Sequence, residues 1–381
     1  MSEPKPAQTS NKMVEAYFRL APVTVPLYAI VLASLIGSLF IIGSGGNPLI
    51  AYRALLDGAL GSPDRLAATV ARATPFMICA LAVALGFKAG LFNIGAEGQL
   101  GLGALTAAWV GTWSWLAGVP PLAAVPFVLA AGLVGGMFWG AIPGVLKART
   151  GAHEVITTIM LNAIAAGIAQ FLITSRDPAL LIDEAASTPH SRRVADSVRL
   201  PVLVEGTGLH LGIVLALGLC VVTWFVLQRT TPGFEIRTVG VNPAAARYAG
   251  MRVNRTIVVV MMASGALAGI AGAAEVVGSS SGYLTPGAFT NIGFDSIAVA
   301  LLARGHPLAV VPSALLWGAL LSGAPLMQVQ ADLSVNLVRI VQALIILFVA
   351  ADAIVRLLFR VRAPRAVGVD EPAMFARGWG G

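Results

Sequence analysis

The sequence predicts an all-α integral membrane protein of about ten transmembrane helices, arranged as an inverted repeat with short re-entrant or half helices. Three observations predict it. Hydrophobic residues make up 57% of the 381 residues and charged residues 11%, at a mean hydropathy of +0.83, a balance that a water-soluble sphere cannot accommodate. Apolar runs of the roughly 20 residues needed to cross a hydrocarbon core recur along the chain, joined mostly by short polar segments. Finally, the pattern Asn-Ile-Gly-x-acid occurs at Asn93–Glu97 (NIGAE) and again at Asn291–Asp295 (NIGFD), opening spans that run in opposite directions, as an inverted-topology repeat requires.

Residues 1–20 are polar, carry Lys5, Lys12 and Arg19, and precede an apolar run with no small-x-small cleavage signal before Gly43. They read as a cytoplasmic tail ahead of a retained first span. One membrane domain covers 21–360, and a second cytoplasmic tail covers 361–381. Hydropathy places spans near 24–43, 66–87, 92–117, 122–146, 154–174, 209–228, 255–278, 293–303, 307–324 and 335–358. With the N-terminus inside, the inner joints collect Lys88, Lys147, Arg149, Arg229, Arg237, Arg247, Arg252, Arg255, Arg304 and a tail cluster of Arg356, Arg360, Arg362 and Arg365. The outer joints hold Asp57, Asp64, Asp177, Asp183, Glu184, Asp196, Glu205 and Asp332. This positive-inside bias puts both termini in the cytoplasm and accounts for the net charge of +7 without nucleic acid. The run at 293–303 is short for a full crossing and reads as a half-helix or re-entrant element, tolerated only where protein or water surrounds it.

Polar side chains within the spans mark either function or packing. Asn93 and Glu97 lie four apart, as do Asn291 and Asp295, so on a helix each pair would share one face. A carboxylate in hydrocarbon is costly, which turns such faces toward the bundle interior or a wet cavity. With Gln99 and Asn162 these residues form the candidate translocation path or gate; the competing reading is a set of buried hydrogen bonds that only fixes helix packing. Thr158, Asn162 and Gln170 form a stripe at helical spacing, and Arg339 with Gln342 marks the last span, where an arginine calls for an acid such as Glu97, Glu275 or Asp295. Gly132, Gly136, Gly140 and Gly144 clear one helix face for close packing. Cys79 and Cys220 fall inside apolar runs, and His153, His190, His210 and His306 lack ligand spacing, so neither a disulfide nor a metal site is expected. No nucleophile with a base stands out, and no catalytic residue is assigned.

The inner loop 229–254 carries its own start and stop signals. Asn242 suits an N-cap, Pro243 the first helical position, and Gly250 a left-handed close. The short helix between them would show Arg247 and Tyr248 at the membrane surface; being marginal alone, it implies a partner that binds it. The outer loop 175–208 is long and mixed in charge, either a docking site or simply a solvated connector.

The runs GLFNIGAEGQL (90–100), GFEIRTVGVNPAAARYAGMRVN (233–254) and GFDSIAVALLARGHPLAV (293–310) resemble the permease subunits of bacterial ABC importers for nucleosides and simple sugars, in the branched-chain amino acid/ribose-type permease family. The NIGAEGQ form is most similar to the nucleoside branch, served by lipoprotein binding proteins of the basic-membrane-protein type. The similarity runs from roughly Leu66 to Phe359. It implies a permease of the bacterial inner membrane that is not itself an enzyme. Its implied partners are a second permease of a different chain, a cytoplasmic ABC ATPase, an extracytoplasmic substrate-binding lipoprotein and membrane lipid. Carried over, Gly233, Glu235, Arg237, Asn242, Pro243, Arg247, Tyr248 and Gly250 correspond to the ATPase-coupling element. The chain has no GxxxxGK run, so ATP and Mg belong to the partner ATPase and no cofactor is expected here. Two alternatives stay open: import of ribose or another simple sugar, and an ion-coupled secondary transporter with Glu97 and Asp295 as proton sites.

Overall fold

The computed structural model describes residues 31–288 and 291–350, and the tail residues 1–20 and 361–381, with the arginines at 356–365, lie outside them. The helices in chain order are α1 (Val31–Gly43), α2 (Pro48–Leu60), α3 (Pro63–Lys88), α4 (Ala96–Gly111), α5 (Pro121–Thr150), α6 (Glu154–Thr174), α7 (Gly212–Arg229), α8 (Thr231–Val241), α9 (Pro243–Tyr248), α10 (Val253–Gly278), α11 (Ile292–Leu302), α12 (Val310–Gln330) and α13 (Val335–Ala350). A small antiparallel hairpin, Val202–Val204 with Leu209–His210, lies between α6 and α7.

Among the described residues six helices are long and apolar enough to cross a membrane, or seven if the bent pair α1–α2 counts as one span, against the ten read from hydropathy. The difference has physical causes. The run at 92–117 is α-helical only from Ala96 to Gly111, about 24 Å, because its first residues form a turn and its last ones a separate 3-10 turn at Ser114–Gly118. The run at 293–303 is the 11-residue α11, and the described part of 335–358 is a further short helix. Conversely, 44–65, to which hydropathy gives no span, holds α2. It meets α1 at 119° because Gly45 takes φ +85°, the Gly46 amide donates to the Ile41 carbonyl, and Pro48 starts the next helix.

Two compact units are present, one of 55–326 and one of the flanking segments. Within the flanking unit Tyr52 Oη donates to the Ser34 carbonyl at 2.7 Å, and α13 buries Leu337, Val338, Val341 and Ile345. Within the larger unit α10 is the hub, packed by α3, α4 and α5. The ladder Gly132, Gly136, Gly140 and Gly144 faces α10 directly: a Cβ on Gly136 would lie 2.6 Å from the Gly269 Cα, and one on Gly144 2.9 Å from the Met261 Cβ. The ladder positions carry no side chain because the backbone and Cβ atoms of α10 occupy the space.

The loop 175–208 is tied down. Ser191 is fully buried, exchanges bonds with Leu284 through its amide (2.8 Å) and its hydroxyl (2.9 Å), and is followed by Val194 N–H to the Gly282 carbonyl at 2.9 Å. His190 stacks on Tyr283 at 4.2 Å. At its end His210 is buried, accepts from the Gly212 amide at 3.0 Å through Nδ1, and burial lowers its pKa.

Candidate functional site

The site grows from the turn after α3. That helix closes on Gly90 at φ +70°, with the Leu91 amide returning to the Gly86 carbonyl at 2.9 Å, and the chain doubles back before α4 starts. Asn93 therefore stands ahead of the helix, not on it. Its Oδ1 accepts from the Gly95 amide at 3.0 Å, while its Nδ2 donates to Gln99 Oε1 at 2.9 Å and to Ser264 Oγ of α10 at 2.7 Å. Ser264 in turn donates to the Ala82 carbonyl of α3 at 2.7 Å. All three side chains are buried, so Asn93 and Gln99 join α3, α4 and α10. From α6, Asn162 Nδ2 donates to the Ile94 carbonyl and Asn162 Oδ1 accepts from the Gly98 amide, both at 2.9 Å. Glu154, buried and paired with Lys147, accepts weakly from the Phe92 amide at 3.4 Å.

Glu97 does something the sequence reading missed. Its carboxylate accepts from the Asn291 and Gly293 amides at 2.6 Å each and from the Phe294 amide at 3.3 Å, capping the N-terminus of α11. Helix N-termini present unpaired N–H groups and a partial positive charge, so a carboxylate is a natural ligand. Gly293 makes the approach possible: a Cβ there would collide with the Glu97 backbone. Asn291 takes the left-handed φ of +74° to aim its own amide at the acid.

Two expectations are corrected by this geometry. Asn93 and Glu97 do not share a helix face, because the helix begins at Ala96, and Asn291 is the cap of α11 and not part of its face with Asp295. The two motif copies meet each other instead. Asp295 lies half-buried in the first turn of α11.

Beside the Glu97 cap is a cavity of about 230 Å³ between α4, α6 and the 284–288 segment. Its polar lining is Glu97, Asn162, Gln170 and Thr285, and the remaining wall is largely small residues such as Gly101, Ala165 and Ala169. Asn93, Gln99, Asn291 and Asp295 are not in that wall.

At the basic end, Asn242 Oδ1 accepts from the Ala244 and Ala245 amides at 3.0 Å, Pro243 starts α9, and Gly250 follows at φ +81° with the Met251 amide on the Ala246 carbonyl at 3.0 Å. Ala246 is buried while Arg247 is exposed and Tyr248 is 98% exposed. Gly233, Glu235 and Arg237 sit on a second helix, α8, which the sequence reading did not anticipate although Thr230 and Pro232 are its cap and first-turn signals. Arg237 donates to Gln228 Oε1 at 3.3 Å, and Gly240 packs its backbone against Lys88 and Gly90.

Residues 65–350 match the family described as branched-chain amino acid transport system / permease component. The guanosine ABC transporter permease protein NupP of Bacillus subtilis (strain 168) is 42% identical over 89% of this chain and 96% of its own length. The nucleoside ABC transporter permease protein NupB of Lactococcus lactis is 35% identical over 91% of this chain and 94% of its own. The glucose ABC transporter permease protein TsgB13 of Haloferax volcanii is 34% identical over 85% and 86%. No solved structure matches the chain.

Proposed function

The chain belongs to the branched-chain amino acid transport system permease component family, and from that premise we propose that this ABC importer permease subunit carries a nucleoside. As a permease it is a multi-pass membrane protein and no enzyme; ATP is hydrolysed by a partner ATPase, and a substrate-binding partner delivers the solute. The observation that carries the nucleoside reading is the cavity bordered by Glu97, Asn162, Gln170 and Thr285: a small chamber with few polar groups and an otherwise apolar wall suits a flat heterocycle with a polar sugar. The similarity to the guanosine and nucleoside permeases supports the same choice. A sugar is the second reading, favoured by the glucose permease relative.

The path runs through this cavity, with Glu97 and Asn162 on its wall and Asn93, Gln99, Asn291 and Asp295 holding that wall in place. An ion-coupled carrier is disfavoured because both Glu97 oxygens are already engaged by backbone amides. In the bilayer of the inner membrane the chain contributes about ten membrane segments with both termini cytoplasmic, the short α11 being a re-entrant or half element. An inverted repeat is supported by the crossed packing of α4 on α10 and α11 on α3. The ATPase docks on α9, with Arg247 and Tyr248 in contact and Glu235 and Arg237 of α8 beneath. A second permease of a different chain completes the membrane part, the binding partner is an extracytoplasmic lipoprotein, and ATP with Mg stays on the ATPase.

The test is ATP-dependent uptake in proteoliposomes holding this chain, a second permease, the ATPase and the binding protein, comparing labelled guanosine with labelled glucose and ribose. Guanosine uptake that needs every component is expected. Uptake of a sugar alone moves the substrate, and uptake by this chain alone under an ion gradient overturns the proposal.

A further inference from the structure

Where α8 and α10 diverge at the basic end they leave a cleft of about 410 Å³, with Pro232, Glu235 and Ile236 on one side and Arg252, Arg255 and Val259 on the other. At 100° per residue, 252, 255 and 259 fall within about 60° of one face of α10. All three are exposed, whereas Thr256 beside them is buried. The face thus runs from two guanidinium groups to an apolar side chain over about 10 Å of helix rise. Neither the Arg252 nor the Arg255 side chain has a hydrogen-bond or ion-pair partner among the described residues. Two cations against the single carboxylate of Glu235 leave the cleft net positive.

We propose that this cleft binds one anionic glycerophospholipid. The phosphodiester sits between Arg252 and Arg255, which offer the planar N–H pairs that match phosphate oxygens. A headgroup hydroxyl donates to Glu235, and an acyl chain lies along Ile236 and Val259. A water-soluble subunit could reach the arginines but not Val259, which lies two turns into a helix of membrane length, 48% exposed. That continuity from charge to exposed apolar wall on one helix face selects lipid over protein. The proposal rests on the placement of this end at a membrane surface, not on the identity of the solute, so its test is independent of the uptake assay.

The experiment uses the full importer complex in nanodiscs of dioleoyl phosphatidylglycerol or dioleoyl phosphatidylcholine, with native mass spectrometry of the lipid retained by the permease. The wild type is expected to keep one phosphatidylglycerol through exchange with excess inorganic phosphate and no phosphatidylcholine. The R252Q/R255Q variant should retain it roughly 30-fold less, and Val259→Asn should weaken retention with the arginines intact, each with unchanged co-purification of the ATPase. Equal retention of the two lipids by the wild type, displacement by inorganic phosphate, or full phosphatidylglycerol retention by the double variant would each overturn the site. So would a double variant that loses the ATPase and keeps the lipid, which would make the arginines part of a protein interface.

Discussion

The two copies of Asn-Ile-Gly-x-acid share three residue identities and an acid, and no structural duty. In the first, Asn93 is buried in a side-chain network and Glu97 reaches out to another helix. In the second, Asn291 contributes its backbone amide from a left-handed conformation, and Asp295 sits in the first turn of its own helix. The same acid position thus acts once as a ligand for a foreign helix end and once beside a native one. What a motif does depends on which backbone groups it finds unpaired, and those groups belong to the partner.

The comparison breaks most severely at Glu97. Replacing it with alanine removes a charge-assisted acceptor from three amides, and we expect a loss of about 2–4 kcal/mol in unfolding free energy of the reconstituted permease, with uptake reduced at least in proportion. Glu97→Gln keeps an acceptor and should lose about half as much; equal thermal stability of both variants and the wild type would remove the cap. Next comes Asn93→Ala, which strips Gln99 and Ser264 of a buried partner and should cost about 1–3 kcal/mol by denaturant titration. If it proves neutral, the network is not holding α4 to α10. Asp295→Asn alters the charge near its own helix end, where the dipole contribution is about 0.3–1 kcal/mol, and a drop as large as that of Glu97→Ala would mean the two acids are equivalent after all. Smallest, and opposite in sign to Asn93→Ala, is Asn291→Gly: at φ +74° glycine is unstrained, and since only the backbone amide reaches Glu97, melting temperature should hold or rise slightly. A clear fall would assign the Asn291 side chain a role of its own.

Much of the framework could be read before folding. The short helix from Pro243 is specified by residues inside it and at its edges, Asn242 and Gly250, so local chemistry is enough. The glycine spacing on α5 likewise announces a close neighbour, though not that α10 is the neighbour. What escaped was everything decided across the chain. The amides that bind Glu97 lie 194 to 197 residues away, and a backbone N–H has no letter in the sequence. Hydropathy averages over the Asn93–Gly95 turn, so it lengthens α4 at its start, and it passes over α2 because its 13 residues fall short of a crossing. The cavity was half legible: Asn162 and Gln170 share a stripe, but Thr285 and the small residues facing them carry no chemical signal.

The glycine seam between α5 and α10 also bears on what ordering this bundle costs. Fixing a buried leucine or methionine freezes rotamers at about 0.5–2 kcal/mol each, while glycine has no rotamer to lose. Each of these glycines therefore joins the contact without surrendering side-chain entropy, where the bilayer offers little hydrophobic gain to offset such a loss.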